Sequence, residues 1–263
     1  MKTFKLNGIS INDHGGDGKP LIFIHAFPLC SRMWDEQVKY FKDKYRVITY
    51  DVRGLGYSNE LDSHQFTMED LVNDFFNIIN EFKFEKVNVC GLSVGGYITL
   101  RALIREPERF SSAILADTKS ESETNESIIN RSEMIAGIKN GKRDEILEGL
   151  LKNLLSEKGY QMEEVINFVR TMMSWMDDKG IIGVLLAIAT RTNTFFQIKK
   201  INTPVLIVAG KEDKLTPPIH SFNMKENFKN SSMKIFPGAG HLLNMELPDE
   251  FNKTLEDFLS TIK

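Results

Sequence analysis

Cysteine is scarce in this chain, which has only Cys30 and Cys90 among its 263 residues. Two cysteines cannot build the disulfide framework of a small secreted protein. No Cys-x-x-Cys or Cys/His spacing typical of a metal site occurs either. We therefore expect both thiols to be buried small apolar groups, and the protein to be cytoplasmic.

Long apolar runs and a strong charge bias are also missing. No run reaches the length of about 18 residues that suggests a membrane-spanning helix, and the opening stretch MKTFKLNGISIN lacks the apolar centre of a signal peptide. The formal net charge is −3, so nothing favours nucleic acid or an anionic membrane as a partner. A small-molecule partner is expected, for a monomer or a homodimer.

Strand and helix patterns alternate along residues 1–118. Apolar runs such as PLIFIHA and YRVITYDVRG are typical of strands buried on both faces. The segment TMEDLVNDFFNIINEF has the spacing of an amphipathic helix, with Thr67 as its candidate N-cap. Together with a hairpin pattern at the start, the alternation predicts a mostly parallel sheet with helices on both faces.

This alternation stops between residues 119 and 196, where the chain is polar and has helical patterns without a convincing buried strand. Strands return with TPVLIVAG and SMKIFPGAG, and an amphipathic helix follows them. We therefore predict a core domain of residues 1–118 and 197–263, and an inserted helical cap of residues 119–196.

The stretch VNVCGLSVGG places Ser93 between a strand pattern and a helix pattern. This is the arrangement of a nucleophile elbow, a sharp turn at which side chains on Gly91 and Gly95 would collide. The helix behind Ser93 would direct free N–H groups toward its hydroxyl. A Gly-rich turn without catalytic function is the alternative, so the assignment depends on finding partners for Ser93.

A serine hydroxyl is a weak nucleophile at neutral pH and needs a base and an orienting acid. His241 is the candidate base, because it follows the last predicted strand at the sheet edge where open α/β sheets bind ligands. Asp213, in VAGKEDKLTPP, is the favoured acid, since in this chain order the acid lies between serine and histidine. Asp117, which also follows a strand, is the competing acid.

Acyl transfer also needs hydrogen-bond donors for the oxyanion. The backbone N–H of Val94, directly after the serine, is one candidate. The second is the N–H of Phe27, in the loop HAFPLCSRMW that follows an early strand. His25 in that loop is expected to shape the loop rather than to titrate in catalysis.

Five motifs, HAFP, DVRGLGYS, GLSVGG, GKEDKLTP and GAGH, occur in the order found in the α/β-hydrolase superfamily. The chain resembles this superfamily over nearly its whole length, with the helical cap as the variable part. The resemblance implies the α/β-hydrolase fold, with a mostly parallel eight-stranded sheet and an inserted cap. It also implies that Ser93 is the nucleophile, Asp213 the acid and His241 the base, with Phe27 and Val94 as oxyanion donors.

Two details of the resemblance concern loops. The second motif carries Asp51, Arg53, Gly54 and Gly56, which the resemblance implies to be chiefly structural. Ala26 stands where the family usually has glycine, a change that leaves the backbone donor in place.

Serine at the elbow argues against haloalkane dehalogenases and most epoxide hydrolases of this fold, which have aspartate there. The motif set is similar to small bacterial carboxylesterases, enol-lactonases and cofactor-free haloperoxidases with perhydrolase activity. It implies an acyl-enzyme that needs no metal or organic cofactor. Since the sequence shows no basic cluster, a carboxylesterase for small to medium uncharged esters is favoured.

Other functions remain open at this point. The same three residues serve lactone or enol-lactone hydrolases, perhydrolases and carbon–carbon bond hydrolases, the last of which would need a polar or cationic pocket. A ligand-sensing protein with the hydrolase fold is a further alternative. The residues predicted to line a substrate pocket are Phe27, Met172, Trp175, Met176, Leu215 and Leu242.

Overall fold

Eight strands form one sheet in the computed structural model, which describes residues 1–60 and 65–262. The strands are β1 (Lys2–Leu6), β2 (Ile9–Asp13), β3 (Pro20–Ile24), β4 (Arg46–Tyr50), β5 (Val87–Leu92), β6 (Phe110–Ala116), β7 (Val205–Gly210) and β8 (Ser231–Phe236). Their order is β1-β2-β4-β3-β5-β6-β7-β8. β2 is antiparallel to β1 and β4, and all other pairs are parallel. The predicted fold class, an α/β fold with a mostly parallel eight-stranded sheet, is confirmed.

Helices connect the described strands and follow the last of them. They are α1 (Asp35–Phe41), α2 (Met68–Glu81), α3 (Val94–Arg105), α4 (Asn125–Lys139), α5 (Arg143–Leu154), α6 (Glu163–Ser174), α7 (Asp178–Thr190), α8 (Pro218–Asn227), α9 (Leu243–Glu246) and α10 (Pro248–Leu259). α1 packs against α10, and α2 against α3. Thr67 caps α2 as predicted, in a reciprocal pair of hydrogen bonds with Asp70.

The central strands are buried because both of their faces are covered. Every residue of β5 and β7 is buried, which explains their continuous apolar sequences. Cys90 in β5 and Cys30 in the loop after β3 are also buried, as expected. Burial raises the pKa of the Cys30 thiol to about 12 and that of Cys90 well above its ordinary value, so both remain protonated.

Helices α4 to α7 lie between β6 and β7 in the chain. Residues 119–196, all of which the structure describes, contain no strand. The proposed cap boundaries at 118/119 and 196/197 therefore fall between β6 and α4 and between α7 and β7. Within the described ranges, no helix is long and apolar enough to cross a membrane.

Candidate active site

Ser93 lies at the turn between β5 and α3, with φ 55° and ψ −113°. Positive φ is unfavourable for a residue with a side chain, so the surrounding structure must hold this conformation. A Cβ atom on Gly91 would lie 2.3 Å from the Gly95 carbonyl oxygen, and one on Gly95 would lie 2.2 Å from the Ile24 carbonyl oxygen. The two glycines therefore allow the turn to pack tightly against itself and against β3.

We expect Gly95→Ala to lower the free energy of unfolding by about 2 kcal/mol or more, because the new methyl group overlaps the backbone of β3. The measurement is urea unfolding followed by circular dichroism. Gly149→Ala is the matched control, since this exposed glycine of α5 has no atom within 4 Å of the added carbon. It should raise the stability by roughly 0.5 to 1 kcal/mol. Equal effects of the two substitutions would contradict the packing argument.

His241 and Asp213 meet below the surface. His241 Nδ1 is 2.8 Å from Asp213 Oδ2, and their side chains are 1% and 0% exposed. An ionised carboxylate can only accept hydrogen bonds, so Nδ1 carries the proton and donates it. With the proton at Nδ1, Nε2 is the ring nitrogen that can act as a general base.

Asp213 is held in the ionised form by its neighbours. Its Oδ1 accepts from the N–H groups of Leu215 (2.8 Å) and Thr216 (3.1 Å), and its Oδ2 accepts from the Thr216 hydroxyl (2.6 Å). Burial favours the neutral acid, but the charge and hydrogen bond of His241 and the bonds from Thr216 outweigh it. Together they hold the pKa of Asp213 well below its ordinary value.

Asp117, the competing acid, has different contacts. Its Oδ1 accepts from the Gly210 N–H at 2.8 Å, while its buried Oδ2 has no hydrogen-bond partner among the described residues. Burial and the nearby charge of Asp213 raise the pKa of Asp117 well above its ordinary value. The structure thus hydrogen-bonds Asp213, and not Asp117, to His241.

The amides of Val94 and Phe27 are both available as donors. Val94 is the first residue of α3, where backbone N–H groups have no partner within the helix. Across residues 1–60 and 65–262, neither amide donates a hydrogen bond to the chain. Two free N–H groups near a serine are the elements of an oxyanion hole.

His25 fixes the loop that carries Phe27. Its Nε2 accepts from the Val52 N–H at 2.7 Å, so its Nδ1 carries the proton and donates to the Ala26 carbonyl at 2.9 Å. Burial lowers the pKa of this fully buried ring. His25 is therefore a neutral structural residue, in agreement with the role expected for it.

The loop of the DVRGLGYS motif is also held by specific contacts. Asp51 accepts from the backbone N–H groups of Ser31 (2.7 Å) and Tyr57 (2.8 Å). Arg53 makes two hydrogen bonds with Asp74, at 2.8 and 2.6 Å. These contacts stabilise the loop and give it the structural role that the resemblance implied.

Ser93 and His241 line one cavity of about 380 Å³. Neither the Ser93 hydroxyl nor His241 Nε2 has a hydrogen-bond partner among the residues described, and Phe27 and Leu215 are also in the lining. Three larger cavities of about 540, 530 and 410 Å³ lie elsewhere among the described residues, and neither Ser93 nor His241 lines them. We take the cavity of about 380 Å³ as the candidate active site because Ser93 and His241 both line it.

Four residues predicted for the pocket do not line this cavity. Met172 is completely buried, and the Met176 sulfur lies 3.3 Å from the Gly56 N–H, which donates to it. Trp175 packs against Tyr57 on the outside. Leu242 is also fully buried. A helical apolar pattern shows that a side chain is buried, but it does not show which neighbour covers it.

The cavity is also more charged than expected. Lys119, Arg131 and Lys214 line it together with Glu123, so the prediction that no basic cluster marks the site is wrong. Tyr97 lines it too, one helical turn after Ser93 on α3. The spacing from Ser93 to Tyr97 was a usable signal, because residues four apart share a helix face. No such spacing in the sequence marked the charged residues of the lining.

Glu246 is a further residue that sequence reasoning missed. Its Oε1 accepts from the Gly240 N–H at 2.9 Å, directly before His241. Its Oε2 accepts from the N–H (3.0 Å) and the hydroxyl (2.5 Å) of Ser156, which follows α5. Glu246 therefore connects the loop of His241 to the helical segment between β6 and β7.

Comparison with known proteins assigns the chain to a family. Residues 19–162, more than half of the chain, match the family model of the alpha/beta hydrolase fold. The 3-oxoadipate enol-lactonase 1 of Acinetobacter baylyi is 26% identical over 258 residues, covering 97% of this chain and 94% of that protein.

Solved structures agree with this result. A thermophilic esterase from Thermogutta terrifontis, solved with malate bound, has a TM-score of 0.91 and 27% identity, over 97% of this chain and 93% of that one. A bromoperoxidase from Bacillus anthracis has a TM-score of 0.85 and 25% identity, over 96% and 95% of the two chains. The chain therefore belongs to the α/β-hydrolase family and is a hydrolase of that fold.

Proposed function

We propose that the protein is a serine hydrolase that cleaves carboxylic esters through an acyl-enzyme, with Ser93, His241 and Asp213 as its catalytic residues. One observation carries the proposal: His241 donates from Nδ1 to the buried carboxylate of Asp213 at 2.8 Å. The lone pair of Nε2 is thereby left free in the cavity that Ser93 also lines.

The proposed reaction begins when Ser93 Oγ attacks the carbonyl carbon of the ester and His241 Nε2 takes the hydroxyl proton. The N–H groups of Phe27 and Val94 stabilise the oxyanion of the tetrahedral intermediate. His241 returns the proton to the leaving alcohol as the carbon–oxygen bond breaks, which yields the acyl-enzyme. Water, activated by His241, then releases the acid and restores Ser93. Asp213 stays ionised throughout and stabilises the imidazolium.

The family and two relatives support ester chemistry in particular. One similar structure is an esterase, and the similar protein from Acinetobacter baylyi is an enol-lactonase. A lactone is an internal ester, so the same attack on a carbonyl applies and the alcohol stays attached to the acyl group. Lactone hydrolysis is the second candidate function, favoured by the 26% identity that extends over 97% of the chain.

A fluorophosphonate reagent tests the proposed nucleophile directly. We expect one equivalent to inactivate ester hydrolysis and to add the mass of its phosphonyl group to the peptide that contains Ser93, because the activated serine attacks phosphorus and displaces fluoride. Heat-unfolded protein is the control and should not be labelled. A label on another serine, or continued ester turnover by fully labelled protein, would overturn the proposal.

A substrate panel then separates the related reactions. It comprises 4-nitrophenyl esters of increasing acyl length, simple lactones, peracid formation from acetate and hydrogen peroxide, and a vinylogous diketone. Highest kcat/KM on the esters supports the carboxylesterase, and highest kcat/KM on the lactones supports the second candidate. The diketone is included because a carbon–carbon bond hydrolase requires a polar pocket, which the charged lining provides.

A further inference from the structure

The cavity that contains Ser93 has more cations than anions. Lys119, Arg131 and Lys214 are in its lining, and Glu123 is the one acidic residue among the lining residues that the structure describes. Sequence alone favoured an uncharged ester because this cluster was not visible in it.

Glu123 cannot neutralise the cluster, because three cations share its carboxylate. Its oxygens lie 3.2 Å from Lys119 Nζ, 2.9 Å from Arg131 and 3.1 Å from Arg191, which lies behind the lining. Burial favours the neutral form of Glu123, but the three cations outweigh it and hold the pKa of Glu123 below its ordinary value. One ionised carboxylate therefore faces three positive groups.

The nearby carboxyl groups do not supply the missing negative charge. Asp213 is committed to His241 and Thr216. Burial raises the pKa of Asp117 well above its ordinary value, which favours its uncharged form. Positive charge held in a buried site is costly unless an anion pairs with it. In the described lining of the cavity Glu123 is the one carboxylate, and it already pairs with three cations.

Lys119 is the cation that is best placed to meet a ligand. Its side chain is only 10% exposed, yet it lines the cavity, and Glu123 is its one ion-pair partner within the described ranges. It directly follows Thr118, whose hydroxyl donates to the Ser93 carbonyl at 2.9 Å. Lys119 therefore enters the cavity from a segment that is hydrogen-bonded to the backbone of Ser93.

Tyr97 provides a second polar group on the same side. It lines the cavity, and its hydroxyl donates to no residue of the described chain. The Arg191 guanidinium lies 3.9 Å from the centre of the Tyr97 ring, a cation–π contact that holds the ring beside the cluster. An ammonium and a phenol together offer charge-assisted hydrogen bonds to a carboxylate.

We propose that the preferred substrates are small esters or lactones that carry a free carboxylate, and that Lys119, with Arg131 and Tyr97, binds this group. The inference rests on the proposed function, since it concerns the same cavity and assumes that Ser93 attacks a carbonyl there. A cavity of about 380 Å³ suits a small substrate. Lys119 is then a specificity-determining residue, which binds the substrate carboxylate and takes no part in bond breaking.

Two matched esters test the preference, mono-4-nitrophenyl glutarate and its methyl ester, which differ only in the free carboxylate. We expect wild-type protein to have a kcat/KM at least about tenfold higher for the acid, the effect of one charge-assisted contact. Lys119→Met should reduce the ratio of the two kcat/KM values by about tenfold, and Arg131→Gln should reduce it by a smaller factor. Lys139→Met, an exposed lysine outside the cavity on α4, should leave the ratio unchanged.

Glutarate provides a readout that does not depend on turnover of the acid. It should inhibit hydrolysis of the methyl ester competitively, with an inhibition constant about tenfold weaker in Lys119→Met. Circular dichroism checks the folding of each variant, and Arg131→Gln provides the second test if Lys119→Met does not fold.

Two failures can be told apart. The proposed function stands if Ser93→Ala abolishes hydrolysis of both esters. The carboxylate inference is then overturned if wild-type protein prefers the neutral ester, or if neither Lys119→Met nor Arg131→Gln changes the ratio of the two kcat/KM values. If hydrolysis survives Ser93→Ala, the proposed function itself fails.

Discussion

Ser93→Ala is expected to lower kcat for ester hydrolysis by at least about 10³-fold, and by up to about 10⁶-fold if all turnover passes through the acyl-enzyme. Alanine removes the only atom that can form the acyl bond, so His241 has no hydroxyl to activate. The protein should still fold, because the Ser93 hydroxyl makes no hydrogen bond with the described chain. We expect the free energy of unfolding to change by less than about 1 kcal/mol.

The measurement is the rate of 4-nitrophenyl butyrate hydrolysis at saturating substrate, together with a urea titration of the same preparation. Ser132→Ala is the control, since this exposed serine of α4 donates only to the Ile128 carbonyl. It should retain the wild-type rate. If Ser93→Ala also keeps that rate, hydrolysis does not use Ser93 as its nucleophile.

Asp213→Asn is expected to lower kcat/KM by about 10⁴-fold. The amide of asparagine carries no charge to stabilise the imidazolium. If its NH₂ group donates to His241 Nδ1, the ring proton moves to Nε2 and the lone pair is no longer available to Ser93. The side chain lies 2.8 Å from the ring, so the substitution changes this hydrogen bond directly.

Asp117→Asn is the matched variant, because both residues follow neighbouring strands and both are buried. Burial raises the pKa of Asp117 and favours its uncharged form, so a neutral asparagine is a smaller change there than at position 213. Asparagine preserves an oxygen to accept from the Gly210 N–H. We expect kcat/KM for 4-nitrophenyl butyrate to fall by less than about tenfold. A loss at position 117 as large as that at 213 would overturn the assignment of Asp213 as the acid.

Much of the fold and of the reactive centre could be predicted from local patterns. Continuous apolar runs identify β5 and β7 because a strand covered on both faces has no position for a solvated side chain. Parallel strands place their carboxyl ends at one edge, so Ser93 and Asp213, which follow β5 and β7, come to the same side of the sheet. The glycines on either side of Ser93 also predicted the tight turn, because side chains there would collide.

The lining of the candidate cavity did not follow from such patterns. Met172 and Met176 looked like pocket residues, yet they pack inside the helical segment or against a loop. No motif marks Lys119 and Glu123, and Arg191 is far from both in the sequence. Their ion pairs form only where α7 ends beside the loop after β6.

The sequence by itself determined the sheet, the glycine-flanked turn at Ser93 and the chain order of Ser93, Asp213 and His241, because strand periodicity, glycine turns and chain order are local properties. Tertiary structure alone decided that Asp213 rather than Asp117 bonds to His241, since that depends on a distance between separate loops. It also decided the charge of the cavity. That charge is a sum over side chains from several elements, and only packing determines which of them face the same space.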